Sequence, residues 1–330
     1  MIRFFANANY DFIGVRKYAY AVTGFLFALS LFALAAWRLN YSIEFTGGTL
    51  VQFKVDPSVQ VDVAQLRGAL DRAGVPGSEI QAFREPGSYT IRARTAKAGA
   101  DADNTQTTAA AVSSALDQTV GQGKYRLDRS GAVGPKVGGE LRTKALLAIF
   151  YSFLAVLAYL AYRFEWRFGL AAIVATAHDI ILTIGFIALM RLEVSLVVVG
   201  AVLSMVGYSL NDTIIIFDRV RENLHKYKRD HFADILNRSV NETLPRSILT
   251  HGTTLATLTS LAVFGGEVIR PFALVMFFGV FTGTFSSIYI ASPVLMWIEH
   301  KWPGAEARGV KQAARAAGAG EKREPVGAKG

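Results

Sequence analysis

Residues 194–223 read VSLVVVGAVLSMVGYSLNDTIIIFDRVREN, an apolar run that is long enough to cross a bilayer but is interrupted by Asn211 and Asp212. Burying an unpaired carboxylate in hydrocarbon costs several kcal/mol, so an ionisable residue inside a membrane helix is a functional hypothesis and requires a partner. The remainder of the sequence should therefore supply a partner for Asp212.

The composition is typical of a membrane protein. Of the 330 residues, 52% are hydrophobic and 12% are aromatic, which is more than an ordinary soluble protein of this size contains. The chain has no cysteine, which excludes disulfides, thiolate metal sites and cysteine nucleophiles. The formal charge of +9 fits nucleic-acid binding as well as membrane orientation, and the placement of the basic residues decides between the two.

Six apolar segments have the length of a membrane crossing. We predict transmembrane helices at residues 18–37, 145–162, 168–190, 194–217, 247–266 and 271–298. The first segment could also be a cleaved signal peptide, since Ala35 and Ala36 resemble a cleavage site. Its length and the spans that follow favour an uncleaved anchor.

The polar segment 38–144, between the first two spans, predicts a separate α+β domain. Its pattern indicates a strand at the end of 43–55, a helix at 62–73, two strands within 79–94 separated at Pro86 and Gly87, a helix at 106–120 and a strand at 125–133. The order β-α-β-β-α-β is that of a ferredoxin-like module. Residues 99–108 are small and polar, and we expect a loose loop there.

The distribution of Lys and Arg predicts the orientation. Residues 1–17, the turn 163–167, the polar connector 218–246 and the tail 299–330 together hold nineteen, whereas the opposite turns hold only Arg191 and Arg270. The positive-inside rule therefore places both termini in the cytoplasm and the insert on the other side, with the basic tail expected to be disordered. Because this asymmetry accounts for the charge, we expect no nucleic-acid partner.

Polar residues form one stripe on each of three predicted helices. These are Thr176, Asp179 and Thr183 on the third span; Ser204, Tyr208 and Asp212 on the fourth; and Arg246, Thr250, Thr254 and Thr257, with Thr253 beside them, on the fifth. If the last two stripes meet, Arg246 is the partner of Asp212.

A buried carboxylate beside an arginine can be tuned to bind and release a proton near the working pH. Alternatively, Arg246 snorkels to the headgroups after Pro245 starts its helix, and Asp212, six residues before Asp218, lies at a shallow depth. Asp179 is a second relay or a structural anchor. His178 is adjacent to Asp179 and should not share its helix face, so we expect a packing histidine there.

Small residues at Gly279 and Gly283, and at Gly200 and Ser204, predict close helix contacts. No GxSxG, HExxH or Walker motif is present, and Gly47 with Gly48 alone is a weak phosphate signal. We therefore expect no catalytic residues, no metal, no cofactor and no ATP-driven chemistry, with protons as the coupling ion.

Six motifs resemble the SecF family of the RND superfamily and extend the resemblance over most of the chain. They are YDFIGVRK before the first span, EFTGGT at the start of the insert, VGPKVGGEL at 133–141, AHDIILTIG in the third span, GYSLNDTIIIFDRVREN in the fourth and TLPRSILTHGTT entering the fifth. Glu44 stands where the family more often has aspartate, so the turn of Glu44, Gly47 and Gly48 is the one departure.

The resemblance implies an RND-type polytopic α-helical subunit of the bacterial cytoplasmic membrane. Such a subunit pairs with SecD beside the SecYEG channel, with YajC as a further partner, and uses proton flow to help a translocating preprotein leave the channel. On this resemblance Asp212 and Arg246 match the proton-carrying acid and the essential arginine. We assign secondary relay or structural roles to Asp179, Asn211, Thr250, Thr254 and Tyr208. An exporter of small molecules or lipids and a structural scaffold of the translocon remain alternatives.

Overall fold

The computed structural model describes residues 8–56, 59, 61–82, 86–93 and 102–304. The chain forms two compact units. One comprises Met1–Leu39, Tyr151–Leu192 and Val197–Gly330, and the other comprises Asn40–Phe150 and Glu193–Leu196. The predictions for residues 1–7, for 99–101 and for the tail beyond 304 lie outside the described residues.

The elements follow one another in this order: α1 Arg16–Trp37, β1 Asn40–Tyr41, α2 Ile43–Thr46, β2 Gly48–Val55, α3 Val63–Arg72, β3 Glu79–Ala82, β4 Ser88–Ala93, α4 Ala102–Thr119, β5 Tyr125–Val133, α5 Pro135–Arg163, α6 Trp166–Leu189, β6 Glu193–Val194, α7 Leu196–Lys226, α8 Phe232–Phe264, α9 Gly266–Ser286, a π-helical turn Ser287–Ala291 and α10 Ser292–Lys301. Six helical stretches in the described part of the chain are long and apolar enough to cross a membrane: α1, α5, α6, α7, α8, and the continuous helix from α9 through α10. The prediction of a six-span membrane protein is confirmed.

Helix α6 lies at the centre of the helical unit. It packs against α1, α9 and α10, and half of its most apolar stretch is buried, as expected for a helix inside a bundle. Small residues set the closest approaches. A Cβ atom on Gly185 of α6 would lie 2.2 Å from the Cβ of Ser30 on α1, and Gly279 and Gly283 of α9 approach Met205 and Ser209 of α7 in the same way. The predicted close contact at Gly279 and Gly283 is therefore present.

The chain before α1 is held against α8 by two asparagines. Asn241 Oδ1 accepts the Tyr10 N–H at 2.8 Å and Asn237 Oδ1 accepts the Phe12 N–H at 2.9 Å, while both amide groups donate back to the Tyr10 carbonyl. Side-chain amides can pair with backbone in this way because each has a donor and an acceptor. The YDFIG motif is thus fixed to the helix that follows the connector.

The π-helical turn inserts one extra residue between α9 and α10. Ser292 Oγ donates to the Ser287 carbonyl, five residues earlier, at 3.0 Å, and Ser287 Oγ lies 2.8 Å from Thr213 Oγ1 of α7. Beyond the turn, Glu299 is buried and forms an ion pair with Arg167 at 2.6 Å. Single π turns are often found where a helix must aim particular side chains.

The insert is a four-stranded antiparallel sheet in the order β3-β4-β2-β5, with α3 and α4 packed together on it. The two βαβ segments of this β-α-β-β-α-β chain therefore interlock, with β2 and β4 as the central strands. The core contains Phe53, Leu66, Leu70, Ile91 and Leu116, none of which is exposed. Asp62 caps α3 by accepting the N–H groups of Ala64 and Gln65.

Close backbone packing explains the glycine pair that opens the insert. Gly47 and Gly48 have φ angles of +74° and +140°, which residues with a Cβ rarely adopt. A Cβ on Gly48 would also lie 2.8 Å from the Ala93 carbonyl oxygen, and one on Gly138 would lie 2.9 Å from the Gly47 nitrogen. The weak phosphate signal at this pair has a structural explanation.

Several predicted boundaries are wrong. The expected loop at 99–108 is helical from Ala102, because α4 is held by the core packing of Val112, Ala115 and Leu116 further along it, which outweighs the weak helix propensity of its first residues. The strand predicted at the end of 43–55 is β2, and it is preceded by the short helix α2. Helix α5 begins ten residues before the predicted 145, since polar first turns are stable outside the hydrocarbon.

The predicted connector 218–246 is not a separate element. Helix α7 continues past 217 to Lys226, and α8 begins at Phe232, well before the predicted 247, with Pro245 inside it. The predicted turn 266–270 is the first turn of α9, which starts before Pro271. These helices extend beyond their apolar runs because polar residues support helix wherever a packed face continues.

Candidate functional site

Asp212 is buried inside the helical unit in the middle of α7. Its residue is 3% exposed, and Ser247 Oγ of α8 donates a hydrogen bond of 2.5 Å to Oδ1. Its second oxygen, Oδ2, has no hydrogen-bond partner in the described part of the chain. A buried carboxylate normally has all its oxygens bonded, so Oδ2 is available to a proton or to another group.

Arg246 does not form an ion pair with Asp212 among the residues that the structure describes. It is exposed, and adjacent helix positions lie about 100° apart, so the face that brings Ser247 to Asp212 turns Arg246 away. The charge of Arg246 still acts on Asp212, as a weaker influence than those of Ser247 and His251. Its predicted role as partner remains a prediction.

His251 and Ser247 are the residues at this site that the sequence pattern did not predict. His251 lies one helical turn after Ser247 on α8, it is 6% exposed, and its ring packs edge-on against Tyr208 with 5.3 Å between centroids. The charges of His251 and Asp212 act on each other. The available signal was the i, i+4 spacing of Ser247 and His251, which puts both on one helix face.

The predicted polar stripes of α7 and α8 meet at Tyr208. Its hydroxyl lies 2.8 Å from Thr254 Oγ1 and 3.1 Å from the Thr250 carbonyl oxygen. Asn211, Ser204, Thr253 and Thr257 lie on the exposed side, where the three hydroxyls bond only to carbonyls of their own helices. This exposed polar strip, Ser204, Tyr208, Asn211, Thr250, Thr253, Thr254 and Thr257, is called the polar seam below.

Asp179 occupies a second buried site, on α6. Ser209 Oγ of α7 donates to its Oδ2 at 2.6 Å, and His178 Nδ1 lies 3.1 Å from its Oδ1. The expected packing role of His178 is present, since its ring stacks on Phe27. The expectation that adjacent positions would keep it from Asp179 is wrong, because the two side chains are in hydrogen-bond contact. Thr176 bonds to its own helix, and Thr183 Oγ1 has no partner within the described residues.

Glu44 connects the glycine turn to the start of α7. Its Oε2 accepts the Leu196 N–H at 2.7 Å, one of the free donors at the first turn of that helix. The turn between α6 and α7 is also paired with the insert, since β6 runs parallel to β1 and Val194 accepts the Ser42 N–H at 2.9 Å. These residues belong to the same compact unit as the sheet.

An ion pair also fixes the turn between α6 and α7. Arg92 of β4 binds Glu193 of β6, and both side chains are mostly buried. Burial raises the pKa of Glu193 above its ordinary value, and the Arg92 guanidinium opposes that shift. The motif residues Glu44, Gly47 and Gly48 are therefore parts of an anchor at the first residue of the helix that carries Asp212.

No cluster of three or more His, Asp or Glu residues suited to a metal ion occurs among the described side chains. The site around Asp212 contains one buried carboxylate, one buried imidazole (His251) and one hydroxyl donor (Ser247), and it lies beside the polar seam. Such a set can hold and pass a proton, because a carboxylate and an imidazole both gain and lose protons in an accessible range.

Comparisons with known proteins match this chain over most of its length. Residues 112–301 match the family described as protein export membrane protein SecD/SecF, C-terminal, and residues 32–59 match the SecD/SecF GG motif. The chain is 51% identical over 326 residues to the protein translocase subunit SecF of Gemmatimonas aurantiaca, covering 96% of this chain and 95% of that protein. It is 40% identical over 296 residues to the SecF of Magnetococcus marinus, covering 90% and 94%.

A solved structure has a similar fold. The crystal structure of SecDF, a translocon-associated membrane protein from Thermus thermophilus, superposes with a TM-score of 0.78 at 35% sequence identity. The match covers 90% of this chain but only 40% of that longer chain.

Proposed function

The chain belongs to the SecD/SecF family as a SecF subunit of protein translocase, and on that premise we propose that it couples proton movement at Asp212 to late-stage preprotein export. The observation that carries the coupling is the state of Asp212, a buried carboxylate with one oxygen bonded to Ser247 and the other free. A group held in this way can be charged or neutral without breaking its anchoring bond.

The partner that fits the polar seam is SecD. A strip of hydroxyl and amide groups facing lipid is unfavourable, since hydrocarbon offers no hydrogen bonds to them. A second subunit that covers the seam removes this cost and places its own residues near Asp212. The similar SecDF chain is more than twice the length that this chain matches, which supports a SecD half as the missing surface.

The proposed setting is the bacterial cytoplasmic membrane, with both termini in the cytoplasm and the insert outside it. The asymmetry of Lys and Arg supports this orientation. Beside the SecYEG channel, with YajC as a further partner, the insert then meets the emerging preprotein. The subunit works without hydrolytic chemistry or a bound cofactor, and protons are its coupling ion.

The test compares vesicles that contain this chain with SecD and the Sec channel, as wild type, Asp212→Asn or Arg246→Met. We expect both variants to insert and pair with SecD but to lose the stimulation of export by the proton gradient, and Asp212→Asn to lose proton conductance. Asp218→Asn is the matched control, because Asp218 lies six residues further on the same helix in a half-exposed ion pair with Arg163.

Normal gradient-dependent export by Asp212→Asn at a normal protein level would refute the coupling. If export were insensitive to both substitutions but lost when the insert is disrupted, a structural scaffold would be the correct function instead.

A further inference from the structure

We propose that His251 is the proton-transfer partner of Asp212 and carries protons between that carboxylate and the polar seam. This inference rests on the proposed proton coupling and assigns a specific residue to one step of it. The family motif TLPRSILTHGTT contains His251, but the assignment comes from its surroundings in the folded chain.

Each residue of this pair has a buried polar atom without a side-chain partner among the residues described, Asp212 Oδ2 and His251 Nδ1. The imidazole also interacts with the backbone of Ser247, one turn earlier on α8. Native proteins rarely leave buried polar atoms unbonded, and such atoms occur where a group must exchange a proton or a ligand. One atom of this pair can donate a proton and the other can accept it.

The geometry of α8 places Ser247 and His251 on one face, where Ser247 contacts Asp212 and His251 contacts Tyr208, one turn before Asp212 on α7. Ser247 Oγ is bonded to Asp212 Oδ1, and a residue four positions later projects from the same face one turn along. The charges of His251 and Asp212 act on each other, as expected for groups in one buried site. His251 is therefore on the face that holds Asp212, whereas Arg246 is not.

The imidazole of His251 lies beside the polar seam. The Tyr208 ring packs on the imidazole, and the Tyr208 hydroxyl bonds to Thr254 Oγ1, whose neighbour Thr250 is exposed. Protons from water or from a covering subunit reach the imidazole along this side.

Few other ionisable groups compete for this role. On α7, Tyr208 packs on the imidazole, and on α8 itself Arg246 is turned outward. Helix α10 also contacts α8, and its charged residues are Glu299, which pairs with Arg167, and His300 and Lys301 at its end. Helix α9, which packs on α8, has Glu267 and Arg270 near its start and no ionisable residue from Pro271 to Ser286. Asp179 has its own partners, Ser209 and His178.

The proposed step is a simple transfer. The N–H bond of protonated His251 breaks as an O–H bond forms on Asp212 Oδ2, so an imidazolium and a carboxylate become a neutral imidazole and a neutral carboxylic acid. In the reverse step, the proton passes from Asp212 Oδ2 back to the imidazole of His251. Histidine suits the task because its ionisation is easily moved across the neutral range.

The experiment uses the same vesicles with SecD and the Sec channel, and measures proton conductance and gradient-dependent export between about pH 5 and 8. His251→Gln keeps a side chain of similar size that hydrogen-bonds but does not titrate. We expect it to reduce conductance by about tenfold or more and to flatten the pH dependence. Free imidazole should restore conductance to His251→Ala, and His225→Gln, at an exposed histidine of α7, should behave as wild type.

The outcomes separate the two proposals. If His251→Gln matched wild type at every pH while Asp212→Asn were inactive, the role of His251 would be refuted and the coupling through Asp212 would stand. A loss of activity with an unchanged pH profile and no rescue by imidazole would also refute the relay, because it would indicate packing alone. An active Asp212→Asn would overturn the proposed function itself.

Discussion

Ser209 Oγ on α7 donates a 2.6 Å hydrogen bond to Asp179 Oδ2 on α6. Ser209 lies three residues before Asp212, so helix α7 contains the buried carboxylate of Asp212 and also binds that of Asp179. Because both bonds involve short, rigid side chains, a shift of α7 along its axis changes the surroundings of both acids together.

Removal of this hydroxyl should destabilise the helical unit. In Ser209→Ala, Asp179 loses a donor while remaining fully buried, which we expect to cost about 1–3 kcal/mol. Thermal unfolding in detergent measures the loss. Ser204→Ala is the control, since Ser204 is exposed and bonds only to the Gly200 carbonyl of its own helix, and its effect should stay within about 0.5 kcal/mol. Equal effects would contradict the importance of the Asp179 contact.

The anchor at Glu44 predicts a local change at the start of α7. Glu44→Ala removes the acceptor of the Leu196 N–H, so that the first turn of the helix should open more often, at a cost of about 1 kcal/mol. Hydrogen exchange of the peptide containing Leu196 should become faster, and less so in Glu44→Gln, which keeps an acceptor. Glu140→Ala, an exposed position in α5, should leave that peptide unchanged. Slow exchange at Leu196 in Glu44→Ala would contradict the cap.

Tyr125 predicts how the insert responds to alkaline pH. Burial, together with the hydrogen bond that its hydroxyl donates to Asp117, raises its pKa from 10.0 to about 12. Because the pKa of Tyr125 is higher in the folded state than in the unfolded state, Tyr125 contributes its full stabilisation below pH 10, and this stabilisation is lost as pH rises towards 12. Tyr125→Phe should therefore flatten the fall in unfolding free energy over that interval.

The measurement is chemical denaturation across that pH interval, with Tyr151→Phe as the control at an exposed tyrosine. If the unfolding free energy fell equally steeply with pH in Tyr125→Phe and in wild type, another group would be responsible for the loss of stability at alkaline pH.

Gly48 should tolerate no side chain. In Gly48→Ala the residue must keep a φ of +140° and place a Cβ 2.8 Å from the Ala93 carbonyl oxygen, which should cost about 2 kcal/mol or more and reduce the folded yield. Gly131→Ala is the matched control. It lies on the neighbouring strand β5, where a Cβ would meet no atom within 4 Å, and it should fold normally. A stable Gly48→Ala protein would show that the turn can take another conformation.

The sequence predicted the large elements because they depend on local patterns. Apolar runs of bilayer length identified six spans, and strand and helix signals gave the order of elements in the insert. The helix ends were harder to predict. Where α7 and α8 extend into polar sequence, stability comes from packing that no local window contains.

The site was predicted less completely, for a geometric reason. The predicted polar stripes of α7 and α8 do meet, at Tyr208, Thr250 and Thr254. Whether Arg246 or Ser247 contacts Asp212 depends on the rotation of α8 by one residue. The roles of His251 and Glu44 could not be predicted, because His251 acts on Asp212, 39 positions away, and Glu44 binds Leu196, 152 positions away. Only the folded protein brings these residues together.

The π-helical turn after α9 also sets the rotation of the last part of the sixth span about its helix axis. One residue in an α-helix corresponds to about 100° of rotation, so the additional residue in Ser287–Ala291 determines the direction in which everything after it points. Deleting a single residue there would leave composition and span length almost unchanged, yet it would rotate Leu295 and Ile298 out of the interior and Glu299 away from Arg167. The C-terminal span should therefore tolerate many substitutions but no change in residue count at this point.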